Sequence, residues 1–499
     1  MRRVAIIVII LAAAAGISAF RVTSNDEGAE LAARYCQSCH VQPTPDMLDK
    51  KTWVAKVFPM MRRYMGMDPI PRRDVLPHDL QAFYPTFPAM TEDEWFTVAQ
   101  WYIDAAPQTL PAPSAINDLG VSPLFRPVAI THRTEMPMTT FVAYDSAHSS
   151  IVLGDAMANA LHLASTAGRI TRTIPLGGPP SSVVIGRDAW YVTDMGKLLP
   201  HDSAVGKLHR IIWRDSVPTS TVVLDSLRRP THLVVTDLNG DRRDDFLVCE
   251  YGNLIGRFGW YEIDASGRTR YHELSSQPGA LRAAVRDMNG DKRPDIVVQM
   301  AQAREGLVVY INKGKGRFEQ RELLTFPPCY GSSSFTFADV DGDGTDEIVM
   351  TAGDNGDYDE PPYKPYHGVR VFARDRKGAW EERSFQHMDG AYGALVRDFD
   401  LDGTRDMLSF SYFPRFDRGI VDLVRLDAGV FTPNQRTWQV SGAELGRWLV
   451  SDVADIDRDG DLDVILGNVS MGPGIVPESV AQSWMSGGVM AMILVNTTR

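Results

Sequence analysis

"DLNGDRRDD", residues 237–245, returns four more times in altered form: "DMNGDKRPD" from Asp287, "DVDGDGTDE" from Asp339, "DFDLDGTRD" from Asp398 and "DIDRDGDLD" from Asp455. The copies begin 50, 52, 59 and 57 residues apart. Each places carboxylate or amide oxygens at positions 1, 3, 5 and 9, and a glycine at position 4 or 6. Such alternation winds a short loop around a hard cation, and the position 7 carbonyl adds an oxygen. One copy alone reads as a solvated turn; five at near-constant spacing read as ligands. The candidate calcium ligands are Asp237, Asn239, Asp241 and Asp245; Asp287, Asn289, Asp291 and Asp295; Asp339, Asp341, Asp343 and Glu347; Asp398, Asp400, Asp402 and Asp406; and Asp455, Asp457, Asp459 and Asp463. They provide for up to five ions. An EF-hand is excluded: no Glu stands at position 12, and apolar strand sequence such as "FLVCEYG" and "DIVVQM" follows.

A period of this length holding several short strands is one blade of a β-propeller. Two further blade-like stretches precede the first copy: "TTFVAYDSAHSSIVLGDAMANALHLAS" (139–165), and "PPSSVVIGRDAWYVTDMG" (179–196) with "GKLHRIIWRD" (206–215). Five and two give a seven-bladed all-β propeller over residues 124–499, with "VMAMILVNTT" (489–498) completing the last blade. The copies resemble FG-GAP/VCBS repeats, as in integrin-type propellers and many exported bacterial proteins.

"CQSCH", Cys36 to His40, is the signature of covalent c-type haem attachment. Two thiols form thioethers with the vinyl groups, and the adjacent His reaches the iron as proximal ligand. A structural zinc would need a second ligand pair, and none is near. A thioredoxin dithiol would follow a strand in a βαβ unit, which this region lacks. "DEGAELAARYCQSCH" reads as a helix with Leu31 and Tyr35 on one face. "TEDEWFTVAQWYIDAAP" reads as a second, N-capped by Thr91 with Glu94 closing a capping box. This region resembles bacterial monohaem cytochrome c domains, a resemblance that implies one haem c and a methionine as sixth ligand. "DKKTWVAKVFPMMRRYMGM" (49–67) offers Met60, Met61, Met65 and Met67, and helical spacing aligns Trp53, Val57, Met61 and Met65. Met61 is the first choice, with Met60 and Met65 as alternatives. Met90 reads as a packing residue, and His78 is the bis-histidine alternative. The whole chain resembles a family of exported bacterial proteins in which a CxxCH domain precedes such a propeller; that family implies no assigned reaction.

Arg2 and Arg3 precede an apolar run over residues 4–20, an export signal that is either cleaved or kept as a membrane anchor. The expected organisation is therefore a signal or anchor (1–20), a small all-α cytochrome c-like domain (25–106), a Pro-rich linker (107–123) and the propeller (124–499). The location is periplasmic or cell-surface. The net charge of −12 on 499 residues excludes a general nucleic-acid binder. Only four cysteines occur, so a disulfide scaffold is excluded; Cys249 and Cys329 either pair or serve as small buried residues.

Three connections are too polar and aromatic for plain turns: "EYGNLIGRFGW" (250–260), "PPCYGSSSF" (327–335) and "GDNGDYDEPPYKPYHG" (353–368), the last with Asn355, Asp357, Tyr358, Lys364, Tyr366 and His367. They form a binding face for a glycan, a peptide or a redox partner, or else cap their blades. No nucleophile elbow, HExxH or Rossmann fingerprint is present. Seven basic residues, Lys50, Lys51, Lys56, Arg62, Arg63, Arg72 and Arg73, face only Asp68 in their stretch and suit docking of an acidic redox protein or membrane electron-transfer complex. The expected function is electron transfer with the propeller docking a partner. The alternative is a propeller redox enzyme, or a glycan-binding or adhesion module, with haem as electron exit.

Overall fold

The computed structural model describes residues 27–70, 73–113, 119–132, 136–215, 217–357, 360–416 and 423–499. The apolar run at 4–20, Arg72 and Tyr358 lie outside them. Among the described residues no helix is long and apolar enough to cross a membrane. The chain divides into two compact units. The first runs to Pro111 and takes in Pro327–Cys329; the second comprises Ala112–Phe326 and Tyr330–Arg499.

The second unit is a propeller of seven four-stranded antiparallel sheets. In the third blade, Pro230–Thr236 pairs with Asp245–Glu250, then Arg257–Ile263, then Thr269–Ser275. First strands of neighbouring blades touch one another, so they ring the axis. The second strand of each cation-loop blade is buried at every position, because adjacent sheets cover both its faces. That is why these strands read as continuous apolar runs. The sequence placed the C-terminal strand at the end of the last blade. Instead Val489–Asn496 is its third strand, and Phe125–Thr131 from the start of the propeller supplies the fourth. A ring closed this way needs both ends of the propeller segment.

The first unit consists of a few short helices. The longest, Glu92–Ala105, begins with the expected Thr91–Glu94 capping box, and it buries Trp95, Val98 and Tyr102. A helix over 27–36 packs on it so closely that a Cβ on Gly28 would lie 2.5 Å from the Trp101 Cβ. Leu31 is buried there, and the half-buried Tyr35 donates its hydroxyl to Glu94 at 3.0 Å. One expectation fails. The segment from Lys50 to Tyr64 is not a regular α-helix: Trp53–Val57 is a π-turn, with the Phe58 N–H donating to the Trp53 carbonyl. Pro59 follows, has no N–H to give Ala55, and would clash with that carbonyl in a regular helix; the wider turn accommodates it. The extra residue moves Met61 and Met65 off the Trp53 line, and Met65 falls just past the helix end at φ −89° and ψ 4°.

Candidate functional site

All five acidic loops join the first and second strands of their blades. They share one backbone. Positions 4 and 6 take positive φ in every copy: Gly240 and Arg242, Gly290 and Lys292, Gly342 and Gly344, Leu401 and Gly403, Arg458 and Gly460. Only glycine enters that region without strain, which explains a glycine at one of the two positions in each copy. The position 9 carboxylate opens the second strand, is buried, and accepts the backbone N–H of position 2 in all five copies, at 2.8–2.9 Å. The position 2 side chains Leu238, Val340, Phe399 and Ile456 are buried beneath the loops. Burial raises Asp245 and Asp463 to about 6, and also raises Glu347 and Asp406.

The loops then divide. In the last three, the carboxylates of positions 1, 3 and 9 converge: Asp339, Asp341 and Glu347; Asp398, Asp400 and Asp406; Asp455, Asp457 and Asp463. The ligand atoms of each set lie within 4.8 Å of one another, and each set could hold a metal ion. One oxygen of each position 1 residue, Oδ1 of Asp339, Asp398 and Asp455, is buried with no hydrogen-bond partner. A buried acceptor left bare is costly, so these oxygens suit a cation. The first two loops are self-satisfied. Asp237 Oδ1 accepts from Gly240 and Asp241, and Asp287 Oδ1 from Asn289, Gly290 and Asp291. Arg243 pairs with Asp241, and Arg293 with Asp291. Position 5 does not join the converging sets: Asp241, Asp291, Asp343, Asp402 and Asp459 each accept the N–H of position 7.

In the helical unit, Cys36 ends the helix over 27–36 and Cys39 lies in the turn beyond it, neither in a disulfide. Burial first, then Cys39, pushes the Cys36 thiol up to about 11. His40 Nδ1 lies 2.9 Å from the Val41 carbonyl oxygen. A carbonyl only accepts, so Nδ1 carries the proton and Nε2 of the neutral ring keeps its lone pair. Two thiols outside any disulfide, beside an imidazole in that tautomer, are the groups that covalent haem attachment would need. Met60 is exposed, Met61 and Met65 are half-buried, and Met90 is buried as a packing residue. His78 is exposed. Arg62 and Arg73 are committed internally. Arg62 binds Asp68 and Glu92 at 2.9 Å, and Arg73 donates to the carbonyls of Gln81, Tyr84 and Pro85.

The antiparallel blades send their second-to-third links, and the links between blades, to the face opposite the acidic loops. The three polar-aromatic connections therefore share one face. Their charged groups are largely built in. Glu250 is buried and accepts from Arg257 at 2.8 Å, and Lys364 is buried as well. His367 is 1% exposed, its Nε2 has no partner, and burial lowers its pKa well below the usual value. Cys249 and Cys329 are both buried and form no disulfide.

Glu305 anchors the connection at 326–332 by accepting from the Ser332 N–H at 2.9 Å and its hydroxyl at 2.8 Å. Burial raises this carboxyl from 4.5 to about 7. A raised carboxyl favours the protonated fold, so its contribution declines as pH rises from 4.5 through about 7. Glu305→Gln should remove that decline, worth about 2–3 kcal/mol between pH 5 and 8 by urea unfolding. Parallel pH profiles for the two proteins would refute a titrating Glu305.

The chain matches the FG-GAP-like repeat over residues 237–298 and 287–350, within the third to fifth blades. No curated protein matches the chain significantly. Solved structures similar to it include a protein from Lactobacillus plantarum, 14% identical, covering 66% of this chain and 87% of that one at TM-score 0.39. Another is BBS1N in complex with ARL6DN, 10% identical, covering 75% and 98% at TM-score 0.42. A seven-bladed propeller carrying FG-GAP-like repeats is the framework of a binding module, with acidic clusters that could hold calcium.

Proposed function

We propose that the protein is an exported c-type cytochrome whose propeller, stabilised by calcium, holds its partner. Residues 25–106 form the haem domain and 107–123 the linker. Haem c is bonded to Cys36 and Cys39 with His40 as proximal ligand; Met61 is the distal ligand, and Met60 and Met65 are the alternatives. The observation carrying this reading is the His40 ring, whose Nδ1–H is held by the Val41 carbonyl at 2.9 Å, beside two cysteines that form no disulfide. That hydrogen bond fixes the tautomer and raises the basicity of Nε2. Bound there, haem supplies a one-electron couple. Lys50, Lys51, Lys56 and Arg63 steer an acidic redox protein or membrane complex. The polar-aromatic face of the propeller takes a peptide or glycan. The location is the periplasm or cell surface.

The test is expression in a host with a c-type haem attachment apparatus, followed by acid–acetone extraction. One haem per chain should stay on the polypeptide, and replacing both Cys36 and Cys39 by Ser should abolish it. Extractable haem, or none, would overturn the reading. Met61→Ala should remove the sulfur-to-iron band of the oxidised spectrum; its retention would move the ligand to Met60 or Met65.

A further inference from the structure

The first strands of the third, fourth and fifth blades wall a cavity of about 510 Å³ inside the propeller ring. That volume falls within the range of small-molecule sites. Its lining includes His232, Arg282, Arg286, Phe335 and Phe337, with the carboxylates Asp287 and Asp346 at its edge beside Arg286. Two arginines project from the strand Ala280–Arg286, and they differ. Arg286 is spoken for: it pairs with Asp346 at 2.8 Å and lies 4.3 Å over the Phe337 ring. Arg282 makes no side-chain hydrogen bond or ion pair with any described residue. It is exposed on the cavity wall; the surrounding protein lowers its pKa, and the Asp452 carboxylate acts the other way without a direct ion pair.

His232 stands beside it. The Ala283 N–H donates to its Nδ1 at 3.4 Å, so the ring proton sits on Nε2. Burial, and then Arg282, push His232 down to about 3, so the ring is neutral at physiological pH. The cavity thus offers a fork of guanidinium donors, one imidazole N–H and an apolar wall of Phe335 and neighbouring alanines. A guanidinium fork that no described carboxylate engages by hydrogen bond keeps its donors free for a ligand, and a planar or tetrahedral oxyanion is their natural complement.

We propose that this cavity binds a small molecule bearing a carboxylate or phosphate, with its anionic head on Arg282 and His232. The proposal stands apart from the haem reading, because it rests on the propeller alone.

The experiment is calorimetric titration of the full chain at low ionic strength, with inorganic phosphate and benzoate as separate probes. One of them should saturate a single site, and the responding probe identifies the head group. Arg282→Gln should weaken that binding at least tenfold, whereas Arg268→Gln, on an outer loop, should leave it unchanged. In the unaltered protein, the responding probe should also protect Arg282, but not Arg268, from phenylglyoxal. This readout does not depend on the variant folding. Absence of saturation by either probe below about 10 mM, equal affinity of Arg282→Gln, or unprotected Arg282 would each overturn the site.

Discussion

Stripping divalent cations should lower the unfolding temperature of the propeller by about 10 °C, and calcium should restore it. Three loops converge carboxylates within 4.8 Å and leave a position 1 oxygen bare. Without a cation those charges repel, and the bare acceptor has lost its solvation. A ligand present at a hundredfold its Kd stabilises by about 2.7 kcal/mol per site, so three sites give about 8 kcal/mol. In a unit this large, each kcal/mol shifts Tm by little more than about 1 °C. The loops should not contribute equally. Arg383 already pairs with Asp341, which shields the loop from Asp339. Asp398→Ala and Asp455→Ala should therefore remove more of the calcium-dependent shift than Asp339→Ala. Asp237→Ala and Asp287→Ala should remove least, since backbone N–H groups already satisfy those carboxylates. Scanning calorimetry in chelator and in calcium decides the matter. Identical melting curves would reduce all five loops to solvated turns.

The blade count was legible because each cation loop must repeat the same side-chain positions to fold the same way. The split between loops was not read, although its signal was visible. Asn239 and Asn289 stand where the later copies have Asp, and Arg243 and Arg293 stand at position 7. Each change takes negative charge from the loop or neutralises it. The positive φ at Leu401 and Arg458 carried no signal, because neither residue type favours it. The π-turn had one signal, Pro59, whose missing N–H the four-residue spacing argument ignored. The burial of His367 was not legible in the sequence for a general reason. Composition marks a loop as polar, but only packing tells whether its polar groups face water. In the helical unit the capping box was readable because its two partners lie three residues apart. The His40 tautomer was not, because it depends on where the neighbouring carbonyl points.

Closure of the ring was also invisible, since "FRPVAIT" carries no loop signature, and its consequence is the second large effect. The strand Phe125–Thr131 pairs along Val489–Asn496, from Phe125 opposite Asn496 to Thr131 opposite Val489. The Thr497 N–H donates to the Leu124 carbonyl at 2.9 Å and extends the ladder. Asn496 ties this blade to the sixth through the Phe399 carbonyl at 2.8 Å. Phe125 is 4% exposed and meets Phe399 edge-on at 5.5 Å, in a cluster with Trp448 and Leu494. Phe125→Ala should therefore cost about 3–5 kcal/mol. Deleting residues 119–131 should do more. It bares the backbone of a strand whose side chains are almost all buried, and an unpaired apolar edge invites association with other chains. The truncated protein should lose its single cooperative urea transition and aggregate, whereas Phe125→Ala should keep the transition at a lower midpoint. A Phe125→Ala protein within about 1 kcal/mol of the parent would mean that the seventh blade closes without this strand's packing.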